Sequence, residues 1–447
     1  MFARIIVACA LVFSQLSPVW ANGEVTEFTL ENGLQAVVIE DHRSPAVVHM
    51  LWYRVGAADE PPGQSGIAHF LEHLMFKGTD TVASGEFSQI VEANGGTDNA
   101  FTSWDYTGYI QRVAADRLPL LMEMEADRMV NLRLPEDEVI TELSVVLEER
   151  AQRTDSSPGG LFQEEVRATL YQNHPYRIPI IGWRHEIEDL TREDALAFYA
   201  DHYAPNNAIL IVAGDVDPEE VRALAEEHYG PIAANPEIIE RVRPSEPPQE
   251  AARIVVFEDP RVAQPYVTRN VLAPAREPGA QEEAAALTLL AELLGGGATS
   301  LMNRVLQTEE RTSLFTAAYY NGLSYDDGTF TLLNVPVPGR SLEEAEADFD
   351  RIIARFLEEG IDPEQFARVK FLYDASEIYA LDNASGRARQ YGVALTSGLT
   401  VADVEAWNDV IAATTIEDVM AAAETLFANP ATVTGFLTTP SLEEATQ

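Results

Sequence analysis

The chain carries the same pattern twice. Residues 191–211 read TREDALAFYADHYAPNNAILI, and residues 415–435 read TIEDVMAAAETLFANPATVTG, 224 positions later. Each opens on a threonine followed three residues on by an aspartate, Asp194 or Asp418, a pairing that satisfies the free amides of a helix start. Each runs through a helical stretch to an aromatic, Tyr203 or Phe427, then through a Pro/Asn turn into a β-rich run. Nearer the two starts, VVIEDHRSPAVV (37–48) is similar to VVFEDPRVAQPYV (255–267), in each case a strand, an acidic turn and a second strand. Between the copies, residues 231–250 hold Pro231, Pro236, Pro244, Pro247 and Pro248 without apolar periodicity, the composition of a linker. The pattern predicts two homologous domains, residues 24–230 and 251–440. Strand-like segments mix with long amphipathic helices and show no strict βαβ alternation. The expected fold class is therefore α+β, each domain a largely antiparallel sheet packed with helices.

The copies differ at one place that carries chemistry. The first contains His69-Phe70-Leu71-Glu72-His73, whereas the matching stretch of the second, LTLLAELLGGGAT (287–299), fills its helix with leucine and alanine. On a helix, positions i and i+4 share a face, so His69 and His73 can reach one metal ion. Glu72 projects to the same side and can act as a base beside that ion. The order is the inverted form of the H-E-x-x-H zinc motif. A hydrolytic zinc site needs three protein ligands and an open position. The third is sought on a helix predicted over residues 136–153, which follows Leu134-Pro135, a favourable helix start. Glu142 and Glu149 lie seven apart on one face of that helix, and Glu148 about 100° away from Glu149. Spacing alone does not choose among these acids.

Charge and cysteine content narrow the setting. The formal net charge is −42, with lysine only at Lys77 and Lys370, and no basic patch that nucleic acid would require. Residues 1–21 have the plan of a signal peptide: Arg4, an apolar run from Ile5 to Phe13 too short to span a bilayer, and a small residue, Ala21, at the expected cleavage point. No later segment is apolar enough for a membrane span. Cys9 is the only cysteine and falls within that leader, so after cleavage neither disulfides nor thiolate ligands remain. An exported, periplasmic or secreted location is expected.

The chain resembles the pitrilysin/insulinase family of inverted zincins, which includes the mitochondrial processing peptidases. The resemblance rests on HFLEH, the E-x6-E pair within TELSVVLEER, the stretch GGTDNAFTSWDYTGY (95–109) and the two halves. It implies that the third zinc ligand is Glu149, 76 residues after His73, with Glu142 supporting the ligands from behind and Glu72 as the general base. It also implies that Asn99, Ala100 and Thr102 lie on an edge strand that pairs with the backbone of a peptide substrate. One Zn²⁺ per chain is expected. Active members carry an Arg and a Tyr seven residues apart in a non-catalytic domain. Here the corresponding positions in LQTEERTSLFTAAYY (306–320) are Gln307 and Leu314, with Arg311, Tyr319 and Tyr320 out of register. The resemblance then implies the zinc-bearing subunit of a heterodimer, whose paralogous partner supplies Arg and Tyr, cleaving unfolded or short peptides. The alternative is a non-catalytic assembly subunit that keeps the fold and the metal. Gly295-Gly296-Gly297 is read either as a substrate-facing loop or as a helix end.

Overall fold

A computed structural model of the chain describes residues 23–440 except 240 and 381. The expected leader and Cys9 lie outside the described residues. The first half contains β1 (Val25–Thr29), β2 (Gln35–Glu40), β3 (Ala46–Tyr53), α1 (Ile67–Leu74), α2 (Glu86–Ala93), β4 (Thr97–Thr102), β5 (Thr107–Ala114), α3 (Leu118–Val130), α4 (Glu136–Arg150), α5 (Pro158–Leu170), α6 (Arg184–Ile187), α7 (Arg192–His202), β6 (Ala208–Gly214) and α8 (Pro218–His228). The second contains β7 (Arg253–Glu258), β8 (Tyr266–Ala273), α9 (Glu282–Gly295), β9 (Ser313–Asn321), β10 (Gly328–Pro336), α10 (Leu342–Glu359), α11 (Pro363–Ala380), α12 (Ala384–Thr396), α13 (Val401–Ala413), α14 (Ile416–Ala428) and β11 (Val433–Thr438). Among the described residues, no helix is long and apolar enough to cross a membrane.

The strands form two sheets, ordered β1-β2-β6-β3-β5-β4 and β7-β11-β8-β10-β9. The repeat read from the sequence maps onto them. The capping boxes Thr191/Asp194 and Thr415/Asp418 start α7 and α14, and the strands that follow, β6 and β11, take equivalent places. Each is inserted between the two strands that flank the acidic turn. It runs parallel to one neighbour (β2 or β7) and antiparallel to the other (β3 or β8). The remaining pairings are antiparallel. All seven residues of β6, AILIVAG, are buried, as expected for a central strand covered on both faces.

What covers those faces was not visible in the repeat. One face of the first sheet packs on its own helices, through Leu51, Tyr53, Ile67, Phe70, Leu74 and Tyr109. The opposite face, with Val37, Ile39, Met50, Trp52, Ile209 and Ile211, is covered by α12 of the second half through Ala388, Tyr391, Ala394 and Leu395. The second half receives the reciprocal element: Phe162, Val166 and Leu170 of α5 pack on Val433 and Leu437 of β11. Close approach at both crossings depends on glycine. A Cβ on Gly392 would stand 2.0 Å from Trp52, and one on Gly435 would stand 2.6 Å from Phe162. Each half therefore buries part of its sheet only when the other is in place.

The proline-rich connection is anchored rather than loose. Its described residues adopt no helix or strand. Arg243 nevertheless reaches Asp59 at 2.9 Å, Asp105 at 2.6 Å and, across the two halves, Asp326 at 3.0 Å. The Glu246 carboxylate accepts from the backbone N–H groups of Gln172, Asn173 and His174. The Gly295–Gly297 run is a helix end. Gly295 is the last residue of α9 and packs so closely on β9 that a Cβ would meet the Ala318 nitrogen at 2.0 Å, and Gly296 is the C-cap.

Candidate metal centre

α1 starts abruptly, at Gly66, whose φ of 90° belongs to the left-handed region that glycine enters without strain. The Glu60 carboxylate accepts hydrogen bonds from the N–H groups of Gly66 (2.9 Å) and Ala68 (3.0 Å), satisfying donors that a helix start leaves free. Ile67, Phe70, Leu71 and Leu74 enter the core. The other face carries His69 and His73, with ring centroids 4.8 Å apart. α4 follows Pro135 and opens with Glu136, Asp137 and Glu138, acids that favour the positive end of the helix dipole. The helix expected over 136–153 is α-helical to Arg150 and continues as a wider π turn over Ala151–Asp155, where buried Arg150 holds Glu164 and the Gly182 carbonyl.

The three acids left open by spacing separate in space. Glu149 turns toward both imidazoles, its carboxylate oxygens 3.7 Å from His69 Nε2 and 3.2 Å from His73 Nε2. Glu142 accepts from His73 Nδ1 at 2.7 Å and from Lys77 Nζ at 2.5 Å. Glu148 is exposed and receives Gln152. One ligand atom from each of His69, His73 and Glu149 lies within 4.8 Å of the others. Two nitrogens and one carboxylate oxygen so placed are a donor set that suits zinc, with a further coordination position left to a fourth ligand. His73 uses Nδ1 for Glu142, which fixes the ring orientation and leaves Nε2 toward Glu149.

Electrostatics point the same way. Burial pulls the His69 imidazole down to about 3, with the charges of His73 and Arg153 adding to the effect, so the ring stays neutral and keeps a lone pair to offer. Burial also acts to lower His73, but the Glu142 hydrogen bond and the charges of Glu142, Glu149 and Glu72 outweigh it and raise its affinity for a proton. Burial raises the Glu72 carboxyl above its ordinary value, against the opposing hydrogen bond that Thr102 Oγ1 donates to Oε2 at 2.6 Å.

His69, Glu72, His73, Glu142 and Glu149 line a cavity of about 970 Å³ together with Asn99, Ala100 and Thr102. The last three belong to β4, which among the described residues pairs only with β5 and forms one edge of the first sheet. Among the described residues, the cavity lining runs from His69 to Ile181 and includes none of the second half. Gln307 lies outside it and donates to Asn303 and to Thr316 Oγ1, while Leu314 is exposed on the edge strand β9. Sequence reading did not single out Lys77, Arg153, Trp104 or Arg167, which also line the cavity. Lys77 had a detectable signal: it lies four residues after His73 and is one of only two lysines.

The chain is similar to known proteins over both halves. Residues 35–183 match the family described as Insulinase (Peptidase family M16), and residues 189–373 match the Peptidase M16 inactive domain. The zinc protease PqqE of Helicobacter pylori is 32% identical over 362 residues, 80% of this chain and 80% of that protein. An uncharacterized zinc protease of Mycobacterium leprae is 34% identical over 328 residues, 71% of this chain and 70% of that one. Among solved structures, a protease from Helicobacter pylori superposes with a TM-score of 0.85 at 29% identity, covering 93% of this chain and 99% of its own. The periplasmic protease PqqL from Escherichia coli shares the fold at a TM-score of 0.80 and 20% identity, over 92% of this chain and 47% of that one.

Proposed function

The chain belongs to the insulinase family of peptidases, M16, and from that premise we propose that it hydrolyses peptide bonds with zinc held by His69, His73 and Glu149. The observation that carries the reading is the convergence of two imidazole nitrogens and one carboxylate, drawn from α1 and α4, within 4.8 Å. Zinc, when bound, supplies Lewis acidity that polarises a carbonyl and acidifies water. The chain's own groups do the rest. Thr102 holds Glu72 Oε2, leaving Oε1 to take a proton from water and deliver it to the departing amine. Burial raises the proton affinity of Glu72, the direction that favours taking a proton from water. The free edge of β4 offers backbone N–H and C=O groups to an extended peptide through Asn99, Ala100 and Thr102. Such pairing grips the backbone whatever its side chains, in keeping with unfolded or short peptides as substrates.

Glu142 orients His73 and keeps its ligating nitrogen basic. Glu142→Ala is expected to lower zinc affinity about 10- to 100-fold, measured by competition with a chromophoric chelator. The variant also strands Lys77, whose ammonium pairs with Glu142.

We further propose that the active form is a heterodimer located outside the cytoplasm. Gln307 and Leu314 stand where active relatives carry Arg and Tyr, and neither reaches the cavity, so a fixed cation and a phenol for the reacting carbonyl are supplied by a paralogous subunit. The test is zinc analysis and peptide cleavage with the chain alone and then mixed with a paralogue lacking H-x-x-E-H. The lone chain should bind one zinc and cleave poorly, and the mixture should be active. Full activity of the lone chain would remove the partner from the proposal and leave the zinc peptidase intact.

A further inference from the structure

The protein is strongly acidic, at −42 overall, yet the cavity contains cations that its own acids do not neutralise. Its carboxylates are committed. Glu142 is bound by His73 and Lys77, Glu149 faces the two imidazoles and receives Arg153, Glu72 holds Thr102, and Glu164 forms a two-pronged pair with Arg150. Two guanidinium groups in the lining are left over. Arg167, on α5, is half-buried and lies over the Trp104 ring at 4.0 Å. Among the described residues it forms no ion pair and donates no side-chain hydrogen bond. Arg177 is exposed, and among the described residues its side chain has only the Gln172 carbonyl as hydrogen-bond partner, at 3.0 Å. The two are joined through Trp104, whose indole N–H donates to the Ile178 carbonyl at 2.8 Å, the residue after Arg177.

A guanidinium withdrawn from water without a counter-ion is costly, and burial lowers its hold on the proton, as it does for Arg167. Stacking on Trp104 recovers a little through cation–π attraction and fixes the plane of the group. A fixed plane leaves its edge donors free for two parallel hydrogen bonds, the geometry that a carboxylate matches and an amide or ammonium does not.

We infer that Arg167, stacked on Trp104 and seconded by Arg177, forms a subsite for a carboxylate of the peptide substrate. The carboxylate belongs either to an Asp or Glu side chain or to the peptide's C-terminus. The subsite rests on the peptidase reading above and narrows its substrate class. It also places the carboxylate. Thr102, the last residue of β4, touches Glu72, and Trp104 lies in the turn two residues further on, so the recognised group sits in the same cavity as Glu72 and near the scissile bond. The acidic exterior would repel such peptides at long range, so the preference should sharpen as salt screens the surface.

The test uses quenched fluorescent peptides carrying Glu, Gln or Lys at each of the three positions on either side of the cleaved bond, with free and amidated C-termini. The zinc-loaded full chain is assayed, with its partner if activity requires one. One Glu position should exceed its Gln counterpart about 10- to 100-fold in kcat/KM. In Arg167→Gln the Glu-over-Gln ratio should collapse toward one, and in Arg167→Glu the Lys peptide should become the better substrate. Thermal melting of each variant checks the fold. If the preference follows the free C-terminus instead, the subsite stands and the terminus is its ligand. Equal cleavage of Glu and Gln peptides together with equal cleavage of free and amidated C-termini, or a preference unchanged in Arg167→Gln, overturns it. The same peptides, dye-labelled, are titrated by anisotropy. Absence of any cleavage then counts against the peptidase reading, while tighter binding of the acidic peptide that Arg167→Gln abolishes upholds the subsite, and indifference to charge refutes it.

Discussion

Glu72→Gln is expected to reduce peptide hydrolysis by about 10²- to 10⁴-fold while the protein still holds one zinc. The two effects separate because the structure separates the groups. The three candidate ligands are His69, His73 and Glu149, and Glu72 is not among them. Its contact is the Thr102 hydroxyl, which a glutamine carbonyl can also accept, so size and packing are conserved. What glutamine loses is the capacity to carry a proton from water to the leaving nitrogen. His73→Ala and Glu149→Ala are different controls, in which metal and activity should disappear together. The experiment also weighs the competing reading of a non-catalytic assembly subunit. A subunit that uses zinc only for structure would show no difference between wild type and Glu72→Gln in any assay. Hydrolysis by Glu72→Gln at the wild-type rate, with zinc bound, would remove Glu72 from the reaction.

The parts of this protein legible in the sequence are those set by local chemistry. His69 and His73 had to share a helical face because of their spacing, and Leu134-Pro135 announced the start of α4. The insulinase-family assignment, drawn from the motif and the two halves, stands with the family and structural matches. So does the α+β fold of two sheets packed with helices. Spacing could not choose among Glu142, Glu148 and Glu149, because neighbouring helical positions differ only by rotation and the rotation of α4 is set by its packing. The exchange of α5 and α12 between the halves left no local mark either. In α12 the buried residues include Ala388, Gly392 and Ala394, small side chains that read as a weakly apolar helix until Trp52 is placed against them. Arg167 was silent for the same reason, since its meaning depends on Trp104, 63 residues earlier in the chain.

The anchoring of the proline-rich connection predicts the largest stability effect. Arg243→Leu is expected to destabilise the protein by about 3 kcal/mol, the lower end of the range for breaking a buried ion pair. The arginine side chain is 3% exposed, and its partners Asp59 and Asp105 are 11% and 6% exposed. Leucine leaves those carboxylates, and Asp326, without their shared cation. The lower end applies because some partners survive: Arg241 remains 3.4 Å from Asp59, and the Tyr176 hydroxyl still donates to Asp105. The exposed pair Arg133–Asp80, at 63% and 55% exposure, is the natural contrast, and Arg133→Ala should leave the urea midpoint almost unchanged because water screens that pair. Acidity supplies a second check. Burial acts to raise Asp326, but hydrogen bonds and charges from His174 and Arg243 win and hold its carboxyl below the ordinary 3.8. A depressed carboxyl contributes stability that is fully present above its unfolded value and is lost as pH falls through the folded one. The gap between wild type and Arg243→Leu in urea midpoints should therefore be widest near neutrality and close below about pH 4. Since Asp326 belongs to the second half and Asp59 and Asp105 to the first, the variant should also loosen the seam where α5 and α12 cross over. Faster hydrogen exchange in those two helices than in α3 would show it, and uniform exchange across the chain would place the lost stability elsewhere.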